Sequence, residues 1–142
     1  MQSKPQLITG RVLTGLVGLF LIVGSGIPKF LDWPGKDEMM SKMGIPLALL
    51  PTLGMIEIAI TVLYLIPRTA FLGAILITAY LGGAIMTHLR VGDPWFFPII
   101  IGLLAWVGLA LRKPVIFKLA LGSYETENEL SRTVRLSRHE KS

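Results

Sequence analysis

The chain has 142 residues, is 52% hydrophobic and has a mean hydropathy of +0.64. That is too apolar for an ordinary soluble domain, and the length suits one compact domain rather than two. There are no cysteines, which excludes disulfides, thiolate metal sites and CxxC redox chemistry, and the formal net charge of +5 flanks apolar blocks instead of forming the basic face of a nucleic-acid binder.

Residues 1–6 are polar and include Lys4. The first apolar segment, 7–29, opens LITGRVLTGLVGLFLIV and closes on Lys29. Arg11 lies close enough to its start to snorkel to the headgroups. A secretory signal is the competing reading, with a short basic start and small residues at Gly24, Ser25 and Gly26. The apolar run is long for a signal, however, and three more follow. Gly10, Thr14 and Gly18 recur every four residues, a spacing that lets a neighbouring helix approach closely. In the connection at 32–43, Pro34-Gly35 reads as a turn. Residues 36–43 read as one or two interfacial helical turns, with Met39, Met40 and Met43 toward lipid or the bundle, and Trp33 suits the interface.

The second segment, 46–66, is apolar for about 21 residues, enough to cross a bilayer as a helix. Pro51 is expected to kink it and free a carbonyl near Leu47. Gly54, Glu57, Thr61 and Tyr64 share one helical face, the single polar stripe on this segment, which orients that face inward. The link Pro67-Arg68 is so short that the third segment, 69–89, must be an antiparallel neighbour. Ala70, Ala74 and Thr78 form one small-residue row there, and Ala79, Gly83 and Thr87 another, both suited to close helix contact. Tyr80 falls near mid-depth, opposite Glu57, where a hydrogen bond between them is geometrically reasonable. The fourth segment, 95–111, has about 17 residues, with Trp95 at one interface and Trp106 in the far half. Arg112-Lys113-Pro114 ends it. Residues 115–121 are apolar enough to rest among headgroups. The rest is a polar, basic tail in which Arg132, Arg135, Arg138 and Lys141 meet solvent or anionic lipid.

The expected fold is therefore all-α: a transmembrane four-helix bundle, antiparallel up-down-up-down, over residues 1–114, with an interfacial segment and basic tail at 115–142. Four spans place both termini on one side. That side collects Lys4, Arg11, Arg68, Arg112, Lys113 and Lys118 together with the basic tail. The other side holds Lys29, Lys36, Lys42 and Arg90, offset by Asp32, Asp37, Glu38 and Asp93. The Lys/Arg bias puts both termini in the cytoplasm.

Glu57 is the sharpest candidate for chemistry. An acidic group at that depth costs roughly 2.5–3.5 kcal/mol on insertion scales, so it should face protein or trapped water. A carboxyl in that setting can exchange a proton or bond a carbonyl oxygen, such as that of a quinone. The alternative is a protonated side chain acting as interhelical glue. Thr61 and Tyr64 continue its stripe. Lys29, His88, Arg90 and Asp93 fall near the opposite ends of the helices from the termini and could ring the mouth of a cavity leading to Glu57. The alternative for these is snorkelling, with an Arg90–Asp93 surface pair. His88 and His139 lie on opposite sides, and there is no HExxH, CxxCH or pair of inward carboxylates, which argues against a zinc or di-iron bundle.

The stretches GRVLTGLVGLFLIVGSGIPKF, LGMIEIAITVLYLIP and LGAILITAYLGGAIMTHLRVGDP resemble the DoxX and DoxX-like family of small bacterial membrane proteins. The resemblance covers residues 10–111. Its best pieces are Lys29 closing the first helix, Glu57 in the second, and the run ending at Pro94. It implies a four-helix membrane bundle in the bacterial inner membrane. The family's namesake is a subunit of an archaeal thiosulfate:quinone oxidoreductase, and other members are linked to membrane redox or oxidative-stress complexes. The leading expectation is an accessory subunit that binds quinone or a similar lipophilic molecule, with a redox partner subunit supplying the electron-carrying group. Glu57 and Tyr80 would touch the polar head, with Lys29 and His88 at the entrance. The other expectation is a non-enzymatic scaffold, lipid-binding or transport protein, in which the small-residue rows serve homo-oligomer contacts. A proton or ion conductor comes last, with a single mid-membrane carboxyl behind it. No nucleic-acid partner is expected, and lipid is expected as the surrounding medium.

Overall fold

The computed structural model describes residues 3–122 and residue 129. Among these residues every regular element is helical. The basic tail, with Arg132, Arg135, Arg138 and Lys141, lies outside the described residues.

Helix α1 spans Lys4–Leu19. It starts there because the Ser3 hydroxyl accepts from the Gln6 N–H at 3.4 Å while the Gln6 side-chain oxygen accepts from the Ser3 N–H at 3.2 Å. This capping box satisfies two donors that a helix start leaves bare. The chain continues without a break through a π-helical stretch, Phe20–Gly26, and a 3-10 turn, Ile27–Phe30. Together they form one 27-residue apolar helix. Helix α2, Lys36–Met43, sits between Gly35 at φ 85° and Gly44 at φ 66°. Only glycine adopts that left-handed conformation without steric cost, so these two residues bracket a short separate helix.

Helix α3, Leu50–Leu65, follows a 3-10 turn at Leu47–Leu49. Pro51 stands in the first turn of α3, where its missing N–H removes no helical bond. The Leu47 carbonyl accepts from the Leu50 N–H. Pro51 thus starts the helix and does not kink it, because the segment turns α-helical only at Leu50. Helices α4, Ala70–Val91, and α5, Phe96–Arg112, complete the main body, and α6, Val115–Ala120, lies beyond Pro114. The helix through Phe30, the one ending at Leu65 and α4 are each long and apolar enough to cross a membrane. Helix α5 is apolar but has 17 residues, the short end of the spanning range.

The core gathers Val17 and Leu21 from the first helix, Ile60 and Tyr64 from α3, Ala74 and Ile77 from α4, and Leu109 from α5. Large apolar side chains also point outward, among them Leu16, Met55, Phe71, Met86 and Leu103. In water such a surface would drive aggregation; against acyl chains it costs nothing.

Small residues set how closely the helices pack. A Cβ on Gly10 would lie 2.9 Å from the Arg112 Cγ, and one on Gly18 would press into Leu65. The Gly10-Thr14-Gly18 row therefore carries close contact with both α5 and α3. Gly73 of α4 abuts the backbone of Leu63 and Tyr64. The second row on α4 behaves otherwise. A Cβ on Gly83 would meet nothing within 4 Å, and Ala79, Gly83 and Thr87 border a cavity. Within the chain the small side chains of this row border space, not a neighbouring helix at Gly83.

Candidate functional site

The site begins with Glu57, which is 2% exposed. Gly26 and Gly54 bring the end of the first helix against α3: a Cβ on Gly54 would stand 3.0 Å from the Gly26 carbonyl oxygen. Through this approach Lys29 reaches across and donates to Glu57 Oε2 at 2.6 Å. The same ammonium donates to the Ser25 carbonyl at 3.0 Å and to Ser25 Oγ at 2.9 Å. Across the π and 3-10 stretches the regular i→i−4 ladder is interrupted, and Ser25 sits inside that interruption. All three hydrogens of the ammonium are spent.

Lys29 lines the cavity, as a residue at its mouth would, but its head is committed to Glu57. The acid is therefore one half of a hydrogen-bonded ion pair, which meets much of the cost of placing it at this depth. Tyr80 donates its hydroxyl to the same Glu57 oxygen at 3.3 Å. The two residues come together because α3 and α4 run in opposite chain directions, with Gly73 on Tyr64 and Tyr80 on Glu57.

Thr61 and Tyr64 share the inward stripe but stand apart from this cluster. The Thr61 hydroxyl donates to the Glu57 backbone carbonyl at 2.6 Å. Tyr64 donates to the Ala105 carbonyl at 2.8 Å, with Thr14 Oγ1 at 3.4 Å. Both are 0% exposed, and neither borders the cavity. One face of α3 meets different neighbours along its length, and both hydroxyls donate to backbone oxygens.

The cavity has a volume of about 910 Å³. That falls within the usual range for a small-molecule site, and so does its lining, mostly apolar with few polar groups. Phe20, Met40, Met43, Leu53, Phe97 and Ile101 supply apolar walls, while Lys29, Glu57, Tyr80, His88 and Asp93 supply polar atoms. His88 Nδ1 is buried without a hydrogen-bond partner. His88 also borders the cavity, and the hydrogen bonds from Lys29 and Tyr80 to the Glu57 carboxylate both fall on Oε2.

Helix α2 closes one flank. Lys42 Nζ bonds Asp93 Oδ1 at 2.5 Å, and Arg90 Nη2 donates to the Met43 carbonyl at 3.1 Å. The expected Arg90–Asp93 surface pair is thus replaced by two separate clasps on α2, because α2 folds back over the end of α4 and offers each a nearer partner. At its other end Lys36 donates to the Leu31 carbonyl at 2.7 Å. Ser25 and Lys42 were not singled out from the sequence. Ser25 had a signal, its position four residues before Lys29; Lys42 had none, since its partner is 51 residues away. Among the described residues no group of three or more His, Cys, Asp or Glu side chains could hold a metal ion.

No curated protein and no solved structure matches the chain. The model of the DoxX-like family matches residues 12–108. That match spans all four apolar segments in most of their length, takes in Lys29, Glu57, Tyr80 and His88, and covers more than half of the sequence: the chain belongs to the DoxX-like family.

Proposed function

We propose that this multi-pass membrane protein is a four-helix bundle of alternating direction with both termini in the cytoplasm, and that it holds a quinone or similar lipophilic molecule in its cavity. The observation that carries the reading is an apolar chamber of about 910 Å³ whose lining includes the polar side chains Lys29, Glu57, Tyr80 and His88. Alternating direction is supported by the contact order: Gly10 lies by Arg112 and Gly26 by Ile58, while Tyr80 lies by Glu57 and Gly73 by Tyr64. The Lys/Arg excess at the end bearing Lys4, Arg11, Arg68 and Lys113 supports a cytoplasmic setting for the termini in a bacterial inner membrane.

Within the cavity the polar roles divide. Lys29 and Tyr80 have given their hydrogens to Glu57 and Ser25 and form a settled polar wall. His88 lines the same cavity and is the side chain assigned here to meet a ligand carbonyl or hydroxyl. A quinone, when bound, accepts or releases electrons and protons; this chain's residues bind its head, orient it and exclude water. The electrons would pass to a partner subunit, which makes the protein an accessory component of a membrane redox system.

The test is mass spectrometry of small molecules that copurify in mild detergent, followed by quinone titration. His88→Ala should weaken binding about tenfold, the worth of one buried hydrogen bond. Wild-type affinity in that variant would remove His88 from the site. Gly83→Leu, which extends a side chain into open space, should block binding while the fold persists.

A second reading has its own support. The Lys29–Glu57–Tyr80 network is well bonded without any ligand, as interhelical glue would be. A non-enzymatic scaffold, lipid-binding or transport role follows if native mass spectrometry finds a stable homo-oligomer and no small molecule.

A further inference from the structure

At the far end of the molecule from the cavity, Arg112 closes α5 beside Gly10 of α1. Its Nε and Nη2 are buried and have no hydrogen-bond partner among the described residues. These two nitrogens form the side-on edge of the guanidinium, a fork of parallel N–H bonds that matches two oxygens of one phosphate or carboxylate. The charge rests 5.9 Å from the centre of the Tyr64 ring, whose face is a weak substitute for an anion. Arg11 places a second positive charge close enough to act on it. Lys113 is engaged elsewhere, donating to the Pro67 carbonyl at 2.8 Å. Asp32, Asp37, Glu38 and Asp93 belong to the opposite end, while Glu125, Glu127, Glu129 and Glu140 follow Arg112 in the chain. A buried charge left without a partner is costly, and a bound anion would offset that cost.

We infer that Arg112, supported by Arg11, forms a phosphate-binding site at the terminus-bearing end of the bundle. Its position at the last turn of a membrane helix sets the ligand chemistry as the phosphate of an anionic lipid headgroup or a free phosphate ion. Both nitrogens are buried against the Tyr64 side as the side chain stands, so binding requires the outer side-chain torsions to turn the fork toward the membrane surface. The site is separate from the cavity, so it stands or falls independently of any ligand held there.

The experiment uses the full chain in mild detergent. Phosphatidylglycerol, phosphatidylcholine and inorganic phosphate are titrated separately, with native mass spectrometry counting retained lipid and thermal shift reporting the ion. Phosphatidylglycerol should bind at least about tenfold more tightly than phosphatidylcholine, and R112Q should erase that preference. R112K should keep part of it, since lysine retains the charge but not the fork. A protective effect of inorganic phosphate that R112Q abolishes, with no preference between the lipids, assigns the site to the free ion. Wild-type behaviour of R112Q in every arm overturns the site. Should R112Q fail to fold, R11Q serves instead, because Arg11 is exposed. About a threefold loss supports the site, on the strength of one more distant charge, and no loss overturns it.

Discussion

The two halves of this bundle use the same residue type to opposite ends. In the half bearing the termini, Gly10, Gly18, Gly73 and Gly108 each face a neighbouring helix, and a Cβ on any of them would press on its atoms. Helices close up there, and Tyr64 is sealed between Thr14 and Ala105 with no exposure. In the other half Gly82 and Gly83 face open space. There α2 leans across the gap, and the cavity survives beneath it. Tyr64 bonds backbone and is finished; the cavity end keeps a long-range ion pair and an unspent imidazole. In the cavity half the first helix and α3 still meet closely at Gly26 and Gly54, so the hollow lies along α4, where Gly82 and Gly83 meet no neighbour.

The largest expected effect comes from removing the counter-charge in the hollow half. Lys29→Met leaves Glu57 buried and unpaired, which should cost about 3–5 kcal/mol in thermal or denaturant unfolding in detergent. Adding Glu57→Gln to that variant should recover most of the loss. If the double variant is no better than the single one, the pair is not what makes Lys29 matter.

Next comes the glycine contrast itself. Gly73→Ala pushes a methyl group into the Tyr64 backbone and should destabilise by about 1–3 kcal/mol, the usual cost of overpacking. Gly83→Ala enters empty space and should be neutral or stabilising by up to about 1 kcal/mol through helix propensity. Equal effects in the two variants would erase the distinction between the halves.

A smaller effect is expected at Tyr64. Tyr64→Phe removes the hydroxyl that donates to the Ala105 carbonyl and should cost about 1 kcal/mol in the same assay, without changing retention of any cavity ligand. Smallest of all is the clasp on α2. The Lys42 side chain is 57% exposed, so Lys42→Ala should lower stability by roughly 0.2–1 kcal/mol, and by less at high salt.

Much of this architecture was legible in the residues, for a local reason. A run of apolar side chains has one low-energy place and one low-energy form, a helix in hydrocarbon, whatever its neighbours do. That made the long segments readable, along with the short helix at 36–43 between its glycines. Glu57 had to face inward because the alternative is acyl chain, and Tyr80 followed from the short link between the segments. Other features depended on partners far away in the chain. Lys29 could be read as an entrance residue because nothing in the sequence tells where a helix changes winding; the π and 3-10 stretches set which way its side chain turns. Thr61 and Tyr64 shared the stripe of Glu57, but a stripe does not say which neighbour lies over each of its turns. The Ala79-Gly83-Thr87 row looked like a contact surface and proved to be a cavity wall, since the same small residues favour either.

Solvation acts on each segment where it stands, so hydropathy and the placement of charge alone settled that this chain enters a membrane, where its helices run and which acid must be shielded. Which small residues touch, which ammonium finds that acid and where a hollow remains were settled only by packing. Helix rotation and separation are properties of several segments at once, and a change of winding in one of them moves every contact above it.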